Sequence, residues 1–162
     1  MLNGVKKIET KGKYMLSNTC KYAIRAVIYL GINCKEGEKL GIKQISSDLS
    51  IPTPFLGKIL QNLVRCKMLT STKGPHGGFG IEKDLNSISL YDIILIIDGD
   101  SLFETCLIGM KPCKKNLEDP IVPCPVHEKF SALRASMRSY FEGETIASII
   151  ERMGTSKEYI EL

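Results

Sequence analysis

Tryptophan is absent from this chain of 162 residues, and histidine occurs only at His76 and His127. Any imidazole base or ligand is therefore confined to those two positions. Long apolar runs are also missing. The longest are short, such as Ile93 to Ile97, where a membrane-spanning helix needs about 20 residues. The basic N-terminus is not followed by an apolar stretch, so no secretory leader and no membrane segment are expected. A nucleotide cradle is excluded as well. Gly74 to Gly80 lacks the Gly-Lys-Ser/Thr of a P-loop, and no Gly-x-Gly-x-x-Gly opens a helix. Cys124 and His127 have nucleophile-and-base chemistry, but nothing supplies an orienting acid or an oxyanion hole, so an enzyme is not expected.

What is present is enough for one core. The hydrophobic share is 43%, too high for a disordered chain, and the length suits a single domain. Six cysteines without an export signal point to a reducing compartment, the cytoplasm. There, clustered cysteines more often hold metal or sense redox state than form disulfides.

The net charge of +4 is uneven. Residues 1–16 carry +3, and residues 41–81 carry +4 from Lys43, Lys58, Arg65, Lys67 and Lys73 against Asp48. Residues 86–162 carry −4. A basic front and an acidic back suit a polyanion at the front, although a solvated surface with random charge fluctuation would read the same.

Residues 1–14 have no period and read as a flexible basic arm. Ser17 can cap a helix to about Cys34, with Ala23, Val27 and Leu30 on one stripe. Ile42, Ile45 and Leu49 mark a short helix that stops before Pro52. Thr53 as N-cap and Pro54 at the first helical position open the next, whose face is Leu56, Ile59, Leu60 and Leu63. Two short helices around a tight turn form a helix-turn-helix. Met68 to Lys73 and Phe79 to Glu82 then read as strands, with Gly74 to Gly78 supplying positive φ in the turn. Ser89 and Asp92 open a helix in capping-box fashion, ending at Asp98-Gly99. Residues 105–127 hold four of the seven prolines and three of the six cysteines. So long an irregular stretch usually binds something or is disordered. From Val126 to Phe141, a stripe of Phe130, Leu133, Met137, Tyr140 and Phe141 predicts a coiled-coil-type helix. Glu144 to Met153 is a short terminal helix. The expected fold class is mainly α with a small β-hairpin wing.

The helix after the turn should present Thr53, Phe55, Gly57, Lys58, Gln61 and Asn62 to solvent or DNA. Lys58 suits phosphate or guanine, and Gln61 or Asn62 suits adenine. Gln44, Ser46 and Ser47 on the supporting helix suit phosphate oxygens, and Lys73 and His76 sit at the wing tip. Cys106, Cys113, Cys124 and His127 form a second constellation of soft or borderline donors in a proline-stiffened loop. Zinc and an iron–sulfur cluster both suit it, and the spacing does not choose. Cys20, Cys34 and Cys66 lie on helix stripes or edges and read as core residues.

Tyr22-Ala23-Ile24-Arg25-Ala26, the helix pair, Gly74-Pro75-His76-Gly77-Gly78-Phe79 and the cysteine loop ending Cys-Pro-Val-His resemble the IscR/NsrR/CymR-type ("Rrf-two") winged-helix transcription regulators. The resemblance spans about Met15 to Glu151. It implies a homodimer, joined by the long helix after the loop, that binds palindromic promoter DNA. It also implies an iron–sulfur cluster on Cys106, Cys113, Cys124 and His127, [2Fe–2S] ahead of [4Fe–4S], with zinc as the alternative. In some members the fourth ligand comes from the partner's first helix, where this chain has Lys21, with Cys20 beside it. Three departures stand out. Ten residues separate Cys113 from Cys124, about twice the IscR-like gap. Gly57-Lys58 replaces the base-reading Glu-Gln pair, and Lys73 replaces the wing arginine. Residues 1–14 precede the usual start at Met15 and read as an extra arm or an over-called start.

The resulting division is 1–14 arm, 15–85 winged helix-turn-helix, 86–104 linking helix, 105–127 cluster loop, and 128–162 dimerisation and C-terminal helices. The expected function is a cytoplasmic, redox-sensing repressor. The alternatives are a regulator with a zinc or thiol site, or one controlled by docking a partner such as a metabolic enzyme.

Overall fold

The computed structural model describes residues 15–35, 37–74, 77–108 and 126–154. Its helices are α1 (Asn18–Asn33), α2 (Ile42–Asp48), α3 (Thr53–Arg65), α4 (Leu90–Ile97), α5 (Ser101–Glu104), α6 (His127–Gly143) and α7 (Ile146–Met153). One hairpin, β1 (Thr70–Thr72) with β2 (Gly78–Gly80), follows α3. The mainly helical class with a small hairpin therefore holds. No described helix is long and apolar enough to cross a membrane.

Helices α1, α2 and α3 bury the stripes their sequence prescribes. Ala23, Ala26, Val27 and Leu30 of α1 meet Ile45 of α2 and Leu56, Ile59, Leu60 and Leu63 of α3 in one core. A second cluster joins Cys20, Ile94, Phe103 and Phe141. It fastens α6 to α4 and α5, so Phe141 and Met137 are used inside the chain. Leu133 and Tyr140, on the adjoining flank of the same stripe, stay 55% and 60% exposed.

Within 86–104, the helix opened by Ser89 ends at Asp98-Gly99 as its sequence suggested, and a further short helix follows. Asp98 ends α4, Gly99 turns the chain with φ +76°, and the short α5 follows. The Ser89/Asp92 capping box forms as expected. A second, Thr145/Ser148, opens α7. Leu90 N donates to Glu144 O and Ile146 N to Ile88 O, both at 2.9 Å, so the two caps lie side by side.

The hairpin is shorter than its sequence suggested, and Leu40 adds an isolated antiparallel bridge to its second strand. Thr70, Ser71 and Thr72 pair antiparallel with Gly80, Phe79 and Gly78. Leu40 and Phe79 exchange two backbone bonds of 2.9 Å. This explains the glycines differently from the sequence reading. Gly74 alone in this loop has positive φ among the described residues, at +114°. Gly78 and Gly80 are needed for close approach: a Cβ there would lie 2.3 Å from Leu40 O and 2.5 Å from Glu38 O.

Two non-glycine residues sit in the left-handed region, Ser50 (φ 53°) between α2 and α3 and Lys67 (φ 57°) after α3. At such positions glycine avoids the Cβ clash with the backbone. Ser50→Gly and Lys67→Gly should each raise stability by about 0.5–1 kcal/mol. Urea unfolding checks this, and a loss at both sites would refute the strain argument.

Candidate nucleic-acid interface and cysteine loop

The turn between α2 and α3 is tied by its own side chains. Ser46 Oγ donates to Ile51 O at 2.6 Å and lies 2.7 Å from Thr53 Oγ1. With the Ser46 proton spent on Ile51, the Thr53 hydroxyl donates to Ser46. Both hydroxyls thus build the turn rather than point outward. Thr53 is the first residue of α3 and Pro52 its cap, one position earlier than the sequence suggested. Arg25 Nη2 donates to Leu49 O at 3.3 Å, adding a cation at the carbonyl end of α2.

Gln44, Ser47, Phe55, Lys58 and Gln61 are exposed, and so is Lys73 beside the hairpin. Two residues expected on this face turn away from it. The Gly57 Cα faces Ile42, since a Cβ there would meet Ile42 Cδ1 at 3.2 Å. Asn62 Nδ2 donates to Ile96 O at 3.2 Å, because α4 lies across the C-terminal half of α3. His76 lies outside the described residues.

Behind the face, Tyr29 donates its hydroxyl to Asp48. Burial, then the Asp48 carboxylate, push the Tyr29 phenol up to about 12. At the wing, Lys39 Nζ donates to Thr72 Oγ1 at 2.7 Å and lies 3.9 Å from Glu82. This cation braces the hairpin against the segment before α2. It was missed because sequence gives no sign that residues 38–41 run beside β2.

Cys113 and Cys124 lie outside the described residues, and among the described ones no three metal-ligating side chains converge. Cys106 is half-buried two residues after α5, and His127 is the first residue of α6. Arg134 of α6 donates from Nη1 to Thr105 O at 3.1 Å. Seven residues separate Arg134 from His127, about 10 Å along a helix. The start and end of the loop are therefore both attached to α6. Arg134 Nε is buried without a hydrogen-bond partner among the described residues. A guanidinium so placed suits an anionic thiolate set, and thiolate with imidazole suits iron–sulfur or zinc. The donor chemistry fits either group.

Cys20 is a different case. It is fully buried, and burial, then Asp98, push its thiol up to about 12. A thiol held neutral is a poor ligand. Cys66, expected in the core, is instead exposed at the end of α3, where the chain leaves the helix. A thiol reagent at neutral pH should modify Cys66 and spare Cys20 until the protein unfolds. The fold favours protonated Cys20, so its contribution is complete below pH 9 and is lost as pH rises through about 12. Mass spectrometry after timed labelling tests the first point; rapid modification of Cys20 would refute it.

The chain matches the Rrf2 family, described as "Iron-dependent Transcriptional regulator", over residues 16–152. An "HTH-type transcriptional regulator" of Aquifex aeolicus is 32% identical over 136 residues, 84% of this chain and 91% of the relative. Among solved structures, CymR, the global cysteine regulator of B. subtilis, superimposes with TM-score 0.66 at 17% identity, covering 86% of this chain and 98% of that one. IscR of T. potens gives 0.63 at 16% identity, covering 88% and 90%. These relatives are regulators rather than enzymes. With a winged helix-turn-helix, a lysine-bearing exposed face and a family match across most of its length, the chain belongs to the Rrf2 family of DNA-binding transcription regulators.

Proposed function

We propose that the chain is a homodimeric, cytoplasmic repressor whose operator affinity is set by an iron–sulfur cluster on Cys106, Cys113, Cys124 and His127, [2Fe–2S] ahead of [4Fe–4S]. The observation that carries the cluster is Arg134, which ties the start of the loop to the helix that begins with His127. When bound, the cluster would supply a redox- and oxygen-sensitive centre. The homodimer rests on Leu133 and Tyr140, which leave an apolar ridge open along α6. Two such subunits would set recognition helices in major grooves about one helical turn apart.

A mechanical route links loop and reading head. Helix α6 packs on α4 and α5. Asp98, which caps α4, accepts from Ser17 N at 2.8 Å and from Ser17 Oγ at 2.5 Å. Ser17 caps α1, and Tyr22 one turn on meets Phe55 of α3. A changed loop would shift α6 against α4 and pass through this cap to α3. That is a two-state coupling.

Purification without oxygen, followed by iron, sulfide and zinc analysis, tests the reading. Brown protein with iron and sulfide in equal amounts is expected. Colourless protein with one zinc per chain would replace the cluster by the zinc reading. Metal-free protein that binds its operator regardless of oxidation would leave control by a docked partner.

A further inference from the structure

Phe55 is 37% exposed, and it is the one large hydrophobic residue left open on the helix pair among the described residues. It lies in the first turn of α3, the part of a recognition helix that meets base edges. The ring is held rather than loose. Tyr22 packs against it edge-on, with centroids 5.7 Å apart and planes at 86°. The Arg25 guanidinium covers Tyr22 at 5.9 Å and is anchored on Leu49 O. Three elements thus cooperate to hold a phenyl ring at the protein's edge, beside Lys58 one turn on.

Its polar neighbours are depleted. Gly57 has no side chain and faces Ile42, Asn62 is bound to α4, and the hydroxyls of Ser46 and Thr53 close the turn. Lys58, Gln61 and, in the last turn, Arg65 are left as the exposed polar groups of this helix face, and only Lys58 lies within a turn of Phe55. Base edges in the major groove are polar except for the C5-methyl of thymine. A fixed phenyl ring has one complementary group there. We infer that Phe55 reads a thymine methyl in each operator half-site, with Tyr22 as the positioning residue that sets the ring. This rests on α3 being the recognition helix. Phe55 and Lys58 share a helix face, so the base or phosphate met by Lys58 lies one or two steps from that thymine.

The test begins with selection of a binding duplex from random sequence by the full-length wild-type protein. Each thymine is then replaced singly by deoxyuridine, which removes the methyl and keeps the base pair. One thymine per half-site should show a loss of affinity of about threefold or more. Phe55→Ala should bind more weakly and show no deoxyuridine penalty at that position. Phe55→Leu, which keeps apolar bulk if alanine disturbs the fold, should retain part of it. Tyr22→Ala should shrink the penalty, and Tyr22→Phe should preserve it. The inference is overturned if no thymine is sensitive, or if Phe55→Ala keeps the full penalty. Failure of wild-type protein to select any duplex would instead remove the recognition-helix reading, and this inference with it.

Discussion

Gly78→Ala should cost about 3 kcal/mol and remove specific DNA binding, although the helices persist. The added methyl would sit 2.3 Å from the backbone oxygen of Leu40, and a main-chain atom held in a two-bond bridge cannot rotate away. Overpacking normally costs 1–3 kcal/mol, so a clash with backbone belongs at the upper end. The chain escapes by separating β2 from Leu40, which breaks two hydrogen bonds and frees the hairpin. The hairpin carries Lys73, so the wing loses its aim. Urea unfolding should give the stability loss, and circular dichroism should keep most of its helical signal. Gly143→Ala is the control. Nothing lies within 4 Å of its added Cβ, and it sits at the end of a helix, where alanine is favoured. If Gly78→Ala behaved like Gly143→Ala, close approach would not be the reason for the wing glycines.

That reason was not legible in the sequence, and the failure is instructive. Helix stripes report which side of an element is buried, so the buried face of Leu56, Ile59, Leu60 and Leu63 follows from their spacing alone. Capping chemistry is equally local, and Ser89 with Asp92 announced the start of α4. Glycine, however, serves either backbone freedom or close packing, and only a tertiary neighbour decides between them. Leu40 is that neighbour, and it lies 39 residues from Phe79. The site was mixed in the same way. Exposure of Lys58 and Gln61 follows from the period of α3. The inward turn of Asn62 does not, because it depends on α4 crossing the helix. Ser46 looked like a phosphate donor, but Ile51 and Thr53 claim its hydroxyl. Cys66 sat beside an apolar stripe, but the helix ends there and the chain departs with Lys67 in the left-handed region.

Lys73 and Lys39, which bonds the neighbouring Thr72, should respond to salt differently. Lys73 is exposed beside the hairpin turn, and we propose that it meets phosphate. Each lysine that neutralises a phosphate releases condensed counterions, so losing it lowers the slope of log affinity against log salt by about 0.9. In the proposed dimer, Lys73→Ala would remove two such contacts, and the slope should fall by about 1.8. Binding at low salt should weaken for every sequence alike, and selectivity between sites should be preserved. Lys58→Ala should share the slope change if it meets phosphate, or relax selectivity at one base if it meets guanine. Lys39 is different because its ammonium is committed to Thr72 and Glu82 inside the protein. Lys39→Met should loosen the wing and weaken binding, yet leave the slope near its wild-type value, since no phosphate contact is lost. Titrations at several salt concentrations separate the two roles. A slope reduced by Lys39→Met to the same extent as by Lys73→Ala would make Lys39 a DNA contact and end its role as a brace.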